Sequence, residues 1–156
     1  MTTNLFKSLL HNIGIVMLSL ALAYLGTVID SLLGLPTLSS RLAAAVGLFF
    51  LLLGFLVRLW AVVHFYNHKM RVISLEPQGS LVTAGPYRYS RNPLYLGANV
   101  FCFFGAALLL GSPTALIMTA VHLPFVNLII RREERQLEQK FGDRFRAYKR
   151  QVRRWL

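Results

Sequence analysis

The sequence predicts an all-α integral membrane protein with four transmembrane helices and a C-terminal amphipathic interfacial helix. The chain of 156 residues is 55% hydrophobic, and its mean hydropathy of +0.52 is high for a soluble domain of that length. Charged residues make up 15% of the chain and are clustered between long uncharged runs, which is the pattern that membrane spans produce. At this length we expect one membrane-embedded domain over residues 1–156.

The first two spans are predicted from the N-terminal half of the chain. Residues 12–29 carry no charge and are long enough to cross a bilayer. Residues 30–41 are rich in glycine, proline and serine and predict a short loop. Residues 42–66 form the second predicted span, although Arg58 and His64 lie within it. A charged side chain is costly inside a bilayer, so we expect Arg58 to face protein or water, or to extend to the interface.

A hydrophobic hairpin is predicted between residues 94 and 130, which contain no Asp, Glu, Lys or Arg. A single helix of that length would extend about 55 Å, whereas the hydrocarbon core is about 30 Å thick. Gly111-Ser112-Pro113 interrupts the run near its middle, so we expect two antiparallel spans joined by a short turn. The polar connector at residues 67–92 contains several prolines and glycines and is expected to be irregular.

The final segment, residues 131–156, is predicted to be an amphipathic helix at the membrane interface. Its apolar residues recur three or four positions apart and therefore fall on one helical face. They are Leu137, Phe141, Phe145, Tyr148 and Val152. The rest of the segment is strongly basic, which predicts contact with an anionic lipid surface.

The distribution of basic residues predicts the orientation of the chain. With four spans, the N-terminus, the connector and the tail lie on one side of the membrane. Nearly all Lys and Arg fall on that side, since Arg41 lies in the opposite loop and Arg58 lies within a span. The positive-inside rule therefore predicts that both termini are cytoplasmic.

Composition also narrows the class of partner and cofactor. The net charge of +11 is compatible with nucleic acid, but no nucleic-acid-binding motif accompanies it, so we expect no nucleic-acid partner. Cys102 is the single cysteine, and no Cys/His cluster has the spacing of a zinc site, so we expect no metal. The signatures of Rossmann, P-loop, serine-hydrolase and zinc-protease sites are absent from the sequence. The sequence does not indicate an oligomeric state.

One polar cluster lies at the start of the hairpin, in the segment GPYRYSRNPLYLG at residues 85–97. Gly85 and the proline after it allow the backbone to turn sharply and to approach a ligand closely. Arg88 and Arg91 are suited to holding a carboxylate or a phosphate. The alternative is that these arginines mark the membrane interface and bind nothing, and their spacing alone favours that alternative.

A second polar cluster, Glu133 and Glu134, follows the fourth span on the same predicted side of the membrane. Two carboxylates in a basic setting are suited to a cationic ligand group, and the alternative is local ion pairing within the helix. Glu134 has Arg131 at helical spacing, whereas Glu133 has no basic residue three or four positions away. Glu133 is therefore expected to have a partner outside its own helix.

Taken together, the segment 85–97, the hairpin and the tail resemble the isoprenylcysteine carboxyl methyltransferase and phospholipid methyltransferase superfamily, over residues 81–156. In that superfamily an Arg-His-Pro-x-Tyr-x-Gly element and a Glu-Glu element enclose S-adenosylmethionine at the cytoplasmic membrane face. The matching positions in this sequence are Arg91, Asn92, Pro93, Tyr95, Gly97, Glu133 and Glu134. Two positions depart from the pattern, because Asn92 stands where histidine is frequent and Phe145 stands where tyrosine is common.

The resemblance implies an enzyme that uses S-adenosylmethionine as its cofactor and methylates a lipophilic substrate drawn from the bilayer. The residues implied in cofactor binding are Tyr87, Arg88, Arg91, Asn92, Pro93, Tyr95, Gly97, Glu133 and Glu134. Among them, a glutamate would bind the amino group of the cofactor and Arg88 or Arg91 its carboxylate. The tyrosine rings would pack on the adenine or beside the sulfonium.

Catalytic roles are implied by the same resemblance for Glu134, Arg153 and Arg154. The two arginines match a basic pair near the C-terminus of the superfamily, and they would orient an anionic acceptor. Most of the rate would come from proximity and from the orientation needed for in-line methyl transfer.

The sequence leaves the acceptor and the class of protein open. The favoured acceptor is a carboxylate resembling that of an isoprenylcysteine, and the alternative is the amine of a phospholipid. Membrane sterol reductases resemble the C-terminal pattern and use NADPH, although this chain is short for that family. A further alternative is a non-enzymatic membrane protein whose basic helix is a lipid-surface anchor.

Overall fold

The computed structural model describes residues 2–67 and 79–156, and within them it contains helices, turns and loops. Part of the predicted irregular connector, residues 68–78, lies outside the described residues. The helices are α1 (Thr2–Leu32), α2 (Arg41–Asn67), α3 (Pro93–Leu110), α4 (Pro113–Phe141) and α5 (Asp143–Gln151). A 3₁₀ turn at Gly85–Arg88 precedes α3. Helices α1 to α4 are each long and apolar enough to cross a membrane, so the predicted four-span, all-α fold class is confirmed.

The observed helices differ from the predicted ones mainly at their ends. Helix α1 begins at Thr2 rather than at residue 12, and its polar Asn12 is buried in the bundle rather than marking the start of the span. The predicted C-terminal helix is confirmed, but it begins later than residue 131, because α4 continues through the charged residues as far as Phe141. Gly142 then interrupts the helix with a φ of 53°, an angle that glycine adopts at little cost. The short α5 follows.

Helices α2 and α3 lie in close backbone contact. A Cβ on Gly105 would lie 2.6 Å from the backbone nitrogen of Leu51, and a Cβ on Gly54 would lie 2.5 Å from the carbonyl oxygen of Gly97. Glycines therefore let the two backbones meet, as is common between membrane helices. Small residues continue into the adjoining core, which consists of Ala23, Leu51, Cys102, Ala106, Ala107 and Ala115. This packing fixes the start of α3, where the first polar cluster ends.

A buried carboxylate fixes the end of the bundle at which α1 and α2 are joined. Asp30 is 2% exposed, and it accepts hydrogen bonds from the Ser112 hydroxyl at 2.5 Å and from the Thr114 backbone nitrogen at 3.0 Å. Ser112 is the N-cap of α4, so the carboxylate also lies at the positive end of that helix dipole. The backbone nitrogen of Leu38 donates to the Gly111 carbonyl oxygen at 2.8 Å. The α1–α2 loop therefore lies beside the turn that the sequence predicted.

Replacing Asp30 by alanine is expected to lower the melting temperature by several degrees, because a buried hydroxyl and a helix N-terminus lose their acceptor. Thermal unfolding of the detergent-solubilised protein measures the change. Asp143→Ala is the matched control, since Asp143 is exposed and pairs with Arg146 on the surface, where ion pairs contribute little. Equal shifts for the two variants would contradict the structural role of Asp30.

A buried arginine connects three helices near the opposite end of the bundle. Arg58 is 6% exposed, so the expectation that it faces protein or water rather than lipid agrees with its burial. Its Nε donates to the Asn12 Oδ1 at 3.2 Å, and its Nη1 donates to the Leu94 carbonyl oxygen at 2.9 Å. Leu94 belongs to the first turn of α3. The guanidinium therefore lies next to the segment that carries the first polar cluster.

Candidate active site

The loop that carries the first polar cluster is fixed against the end of α2. Gly85 has a φ of 61°, and a Cβ there would lie 2.6 Å from the His64 Cε1, so both conformation and space favour glycine. The 3₁₀ turn that follows buries Tyr87, whose ring centroid lies 5.4 Å from that of Phe65. The turn thereby directs the Tyr87 side chain into the protein.

The tail packs onto this loop through the apolar face that the sequence predicted. Phe145 is 1% exposed and Tyr148 is also buried, and both belong to one cluster with residues of α2 and the loop. Its buried members are Ala61, Val82, Tyr87, Phe145 and Tyr148. The Tyr148 hydroxyl donates to the Tyr87 carbonyl oxygen at 2.7 Å. Burial raises the pKa of Tyr148, so this hydroxyl stays protonated and keeps its role as a donor at neutral pH.

Residues beyond α5 join the loop through hydrogen bonds to the backbone. The Arg91 backbone nitrogen donates to the Arg153 carbonyl oxygen at 3.0 Å, and the Arg91 Nη1 donates to the Val152 carbonyl oxygen at 2.7 Å. The Asn92 Nδ2 donates to the Arg154 carbonyl oxygen at 3.2 Å. The amide of Asn92 therefore makes a contact with the tail at the position where the superfamily frequently has histidine.

Glu134 is the centre of an ion-pair network that joins the loop, α4 and the tail. The residue is 5% exposed, and its Oε1 lies 2.8 Å from the Arg91 Nη2 while its Oε2 lies 2.6 Å from the Arg154 Nη2. Arg154 also donates from Nη1 to the Asn127 Oδ1 at 3.1 Å. Both carboxylate oxygens are thus occupied by arginines from outside the helix. Glu134 therefore holds the loop, α4 and the tail together.

Glu133, in contrast, has a neutral partner. Its Oε1 accepts a hydrogen bond from the Tyr95 hydroxyl at 2.6 Å, which is a partner outside its own helix, as the sequence led us to expect. Within residues 2–67 and 79–156, no Lys or Arg forms an ion pair with this carboxylate. Among these residues its negative charge therefore has no cationic partner, and the carboxylate is suited to an ammonium or a sulfonium.

A cavity of about 120 Å³ lies between the loop and the tail. Of the residues predicted to bind a cofactor, those that line it are Tyr87, Arg91, Asn92, Pro93, Tyr95, Glu133 and Glu134. Phe65, Leu137 and Phe145 supply apolar surface around them, and a mostly apolar wall with a few converging polar groups is usual for a ligand site. Pockets for small ligands are commonly about 300 Å³ or larger, so this cavity encloses only part of a nucleoside-sized cofactor.

Four predicted site residues do not line this cavity. The side chains of Arg88 and Arg153 are exposed, and neither residue lines the cavity, because the turn and the chain end direct them away from it. Gly97 packs against α2, where a Cβ would lie 2.6 Å from the Arg58 Cγ. Arg154 does not line the cavity either, but it reaches the cavity wall through its ion pair with Glu134.

A groove on the outer side of α3 and α4 was not identified from the sequence. Its volume is about 580 Å³, and its lining includes Leu96, Phe101 and Leu123 together with Trp155 and Leu156 at the chain end. Asn127 also lines the groove, and its Oδ1 accepts the hydrogen bond from Arg154. An apolar surface therefore leads to the network around Glu134. No local signal marks it, since it depends on how two helices and the chain end pack together.

A π-helical stretch at Leu96–Cys102 is a second feature that sequence reasoning missed. Such stretches are rare in proteins, and those that occur often lie at functional sites. This one follows Tyr95 directly. Within it, the Asn99 Nδ2 donates to the Tyr95 carbonyl oxygen at 3.3 Å, and the Asn99 Oδ1 is hydrogen-bonded to the His122 Nε2 at 3.0 Å. The available signal was a polar pair, Asn99 and His122, within an apolar hairpin.

Comparison with known proteins identifies the family. The sequence profile described as phospholipid methyltransferase matches residues 42–144, which is more than half of the chain. The chain belongs to the phospholipid methyltransferase family. A curated relative, an uncharacterized protein of Haemophilus influenzae, is 46% identical over 48 residues, which are 30% of this chain and 76% of that protein. No solved structure matches the chain.

Membership of the phospholipid methyltransferase family confirms the resemblance found in the sequence and extends it to α2. It implies methylation of a lipid acceptor with S-adenosylmethionine as the methyl donor. The residues that line the cavity suit such a cofactor, because Glu133 forms no ion pair with any Lys or Arg among the described residues and can meet a cationic group. The Tyr87 hydroxyl also fits, since it is buried without a hydrogen-bond partner among the described residues and lines the same cavity.

Proposed function

We propose that this member of the phospholipid methyltransferase family transfers a methyl group from S-adenosylmethionine to a lipophilic carboxylate, resembling that of an isoprenylcysteine, at the cytoplasmic face of the membrane. The observation that carries the proposal is the contrast between two adjacent glutamates. Glu134 is neutralised by two arginines, whereas Glu133 lines the cavity with a tyrosine hydroxyl as its partner. A negative charge in a mostly apolar pocket is suited to a cationic ligand.

Glu133 is the residue that we assign to the amino group of the cofactor. The Tyr95 hydroxyl, at 2.6 Å, holds the carboxylate in one orientation, so less ordering is needed when the ligand binds. The rings of Tyr87 and Tyr95 line the same cavity and supply aromatic faces for the adenine or for the positive sulfur. Arg88 is exposed and Arg91 is bound to Glu134, so neither is free to hold the carboxylate of the cofactor.

The groove on α3 and α4 supports entry of the acceptor from the bilayer. Its apolar wall, which includes Leu96 and Phe101, is suited to a lipid chain, and the polar Asn127 also lines it. Arg154 is hydrogen-bonded to Asn127, and its side chain is 27% exposed. An anionic head group at this end would meet that guanidinium. We therefore assign orientation of the acceptor to Arg154 rather than to Arg153.

The chemistry favours a carboxylate acceptor over an amine. When bound, the cofactor supplies an electrophilic methyl group on sulfur, and the products are a methyl ester and S-adenosylhomocysteine. An ionised carboxylate attacks without losing a proton, so the protein needs to hold and orient the reactants and needs no base. A phospholipid ammonium would first have to lose a proton. Glu134 cannot accept it while both of its oxygens are bound to arginine.

The distribution of charge supports a cytoplasmic location for the cavity. The loop and the tail carry most of the basic residues, and the positive-inside rule places such segments in the cytoplasm. Arg144 and Arg150 on α5 are exposed, which supports contact of the tail with an anionic lipid surface. Both termini lie on the cytoplasmic side in this proposal.

The test is transfer of a labelled methyl group by the detergent-purified protein to two acceptors, N-acetyl-S-farnesyl-cysteine and phosphatidylethanolamine. We expect label on the first, as an ester that base hydrolyses. Label on the amine lipid alone would replace the proposed acceptor with a phospholipid. Calorimetric binding of NADPH without binding of S-adenosylmethionine would favour a reductase, and binding of neither cofactor would contradict an enzymatic function.

A further inference from the structure

We propose that Tyr87 and Arg58 form a carboxylate-binding subsite at the cavity and that, together with Glu133, they recognise an α-amino acid group. The inference rests on the proposed function and deepens it, since S-adenosylmethionine carries such a group. It gives a ligand-binding role to Arg58, which lies inside a membrane span and belongs to neither polar cluster of the sequence.

The first observation is the unpaired hydroxyl of Tyr87. The residue is 6% exposed, and its hydroxyl has no hydrogen-bond partner in the part of the chain that the structure describes. Buried polar groups in folded proteins are nearly always paired, so an unpaired one calls for an explanation. Burial raises the pKa of Tyr87; Tyr148 adds to this effect, Arg58 opposes it and Glu133 adds to it. The hydroxyl is therefore protonated and able to donate, and it belongs to a residue that lines the same cavity as Glu133.

The second observation is the incomplete pairing of the Arg58 guanidinium. Among the described residues it donates hydrogen bonds to neutral oxygens, those of the Asn12 side chain and of the Leu94 backbone. Over residues 2–67 and 79–156, no carboxylate forms an ion pair with it. A buried cation that is held by neutral acceptors alone retains a strong attraction for an anion. Arg58 does not itself line the cavity, but Leu94 does, so the guanidinium lies behind the cavity wall and one hydrogen bond away from it.

The charges around the cavity match those of an α-amino acid. Glu133 offers a negative charge to the ammonium, and Tyr87 with Arg58 offers a donor and a positive charge to the carboxylate, which forms strong hydrogen bonds with such groups. The arginines of the first polar cluster do not provide this, because Arg88 is exposed and Arg91 is bound to Glu134. Arg58 is therefore the cation that we assign to the carboxylate of the zwitterion.

Tyr87→Phe tests the subsite through calorimetric binding of S-adenosylmethionine and of its decarboxylated form to the purified protein. We expect the unaltered protein to prefer the cofactor with the carboxylate by about tenfold or more, because a hydrogen bond to a charged group is worth roughly that factor. Tyr87→Phe should bind the two forms with nearly equal affinity. Since the hydroxyl is unpaired without ligand, the ligand-free variant should keep or raise its melting temperature.

Two further variants sharpen the experiment. Tyr89→Phe is the matched control, because Tyr89 is exposed and outside the cavity, and it should retain the full preference for the carboxylate. Arg58→Gln removes the positive charge and should reduce the preference as Tyr87→Phe does. An Arg58→Gln protein that folds and retains the full preference would remove Arg58 from the subsite and so contradict the proposal.

A second experiment tests whether the carboxylate that occupies the subsite belongs to the cofactor or to the acceptor. Competition by N-acetyl-S-farnesyl-cysteine and by its methyl ester is compared between the unaltered protein and Tyr87→Phe. If Tyr87→Phe no longer distinguished the acid from the ester and yet still distinguished the two forms of the cofactor, that result would assign the subsite to the acceptor. Full discrimination by Tyr87→Phe in both arms would overturn the subsite and leave the methyltransferase proposal standing. An unaltered protein that binds no cofactor and no lipid acid would contradict both proposals.

Discussion

Glu134→Gln is expected to lower the free energy of unfolding by about 3 kcal/mol, because it leaves the buried guanidinium of Arg91, and the partly exposed one of Arg154, without a counter-charge. Glu134 pairs with Arg91 and Arg154, and the Arg91 side chain is 10% exposed, so water can do little to replace the lost charge. Glutamine keeps the shape of the side chain and removes its negative charge. Unfolding in detergent measures the loss, and limited trypsin digestion should cut the loosened tail sooner.

Glu138→Gln is the matched control for this prediction. Glu138 lies on the same helix and pairs with Lys149, but its side chain is 32% exposed, and ion pairs in contact with water contribute little to stability. The two variants make the same chemical change and differ mainly in burial. If Glu134→Gln unfolded and digested as Glu138→Gln does, the network would not be what holds the loop and the tail together.

The ion-pair network explains how two short motifs, far apart in the sequence, become one site. Arg91 belongs to the loop, Glu134 to α4 and Arg154 to the chain end, so each contributes one side of the same junction. The hydrophobic cluster around Phe145 and Tyr148 closes the junction on its other side. Because Glu134 is occupied by this structural role, its neighbour Glu133 is the carboxylate that remains for a ligand.

The four spans were predictable because the number of consecutive apolar residues directly limits what can cross a bilayer. The break at Gly111-Ser112-Pro113 was also found from the sequence, since a run of that length cannot remain one helix within the membrane. The role of Asp30 was not predictable. Its partners, Ser112 and Thr114, lie far along the chain, and no local pattern relates one loop of a bundle to another.

The tail shows what periodicity does and does not reveal. The spacing of Phe145 and Tyr148 identified the buried face correctly, because helical geometry fixes which residues share a side. It did not reveal that protein, through the cluster of α2 and the loop, covers that face. The predicted start of the C-terminal helix, at residue 131, was too early, because charged residues continue a helix as readily as apolar ones and α4 runs on to Phe141.

The candidate site was predictable by residue type and only partly by role. Glu133 was expected to have a partner outside its helix from its neighbours alone, and Tyr95 is that partner. Arg88 was chosen because arginine binds anions, but the direction of its side chain depends on the 3₁₀ turn, which leaves it exposed. Arg58 was noted for its place inside a span, and its position beside Leu94 depends on the close contact of α2 with α3.

Glu133→Gln is expected to weaken binding of S-adenosylmethionine by roughly 10–100-fold, because a charge-assisted hydrogen bond to the ligand is worth about 1.5–3 kcal/mol. Stability should change little. The partner of Glu133 is the Tyr95 hydroxyl, and the side-chain oxygen of glutamine accepts the same hydrogen bond. Isothermal titration calorimetry measures the affinity, and thermal unfolding of the same samples measures the stability.

Glu133 and Glu134 are adjacent in the sequence and identical in chemistry. Their glutamine variants are nevertheless expected to give different results when stability and cofactor affinity are both measured. Glu134→Gln should lose stability, and Glu133→Gln should lose affinity while it remains folded. Glu138→Gln, which lies outside the cavity lining, should bind the cofactor normally. Normal binding by Glu133→Gln would mean that the charge in the cavity serves no ligand, and the proposed function would lose the observation that carries it. Unfolding of Glu133→Gln would instead show that this carboxylate, like Glu134, holds the fold together.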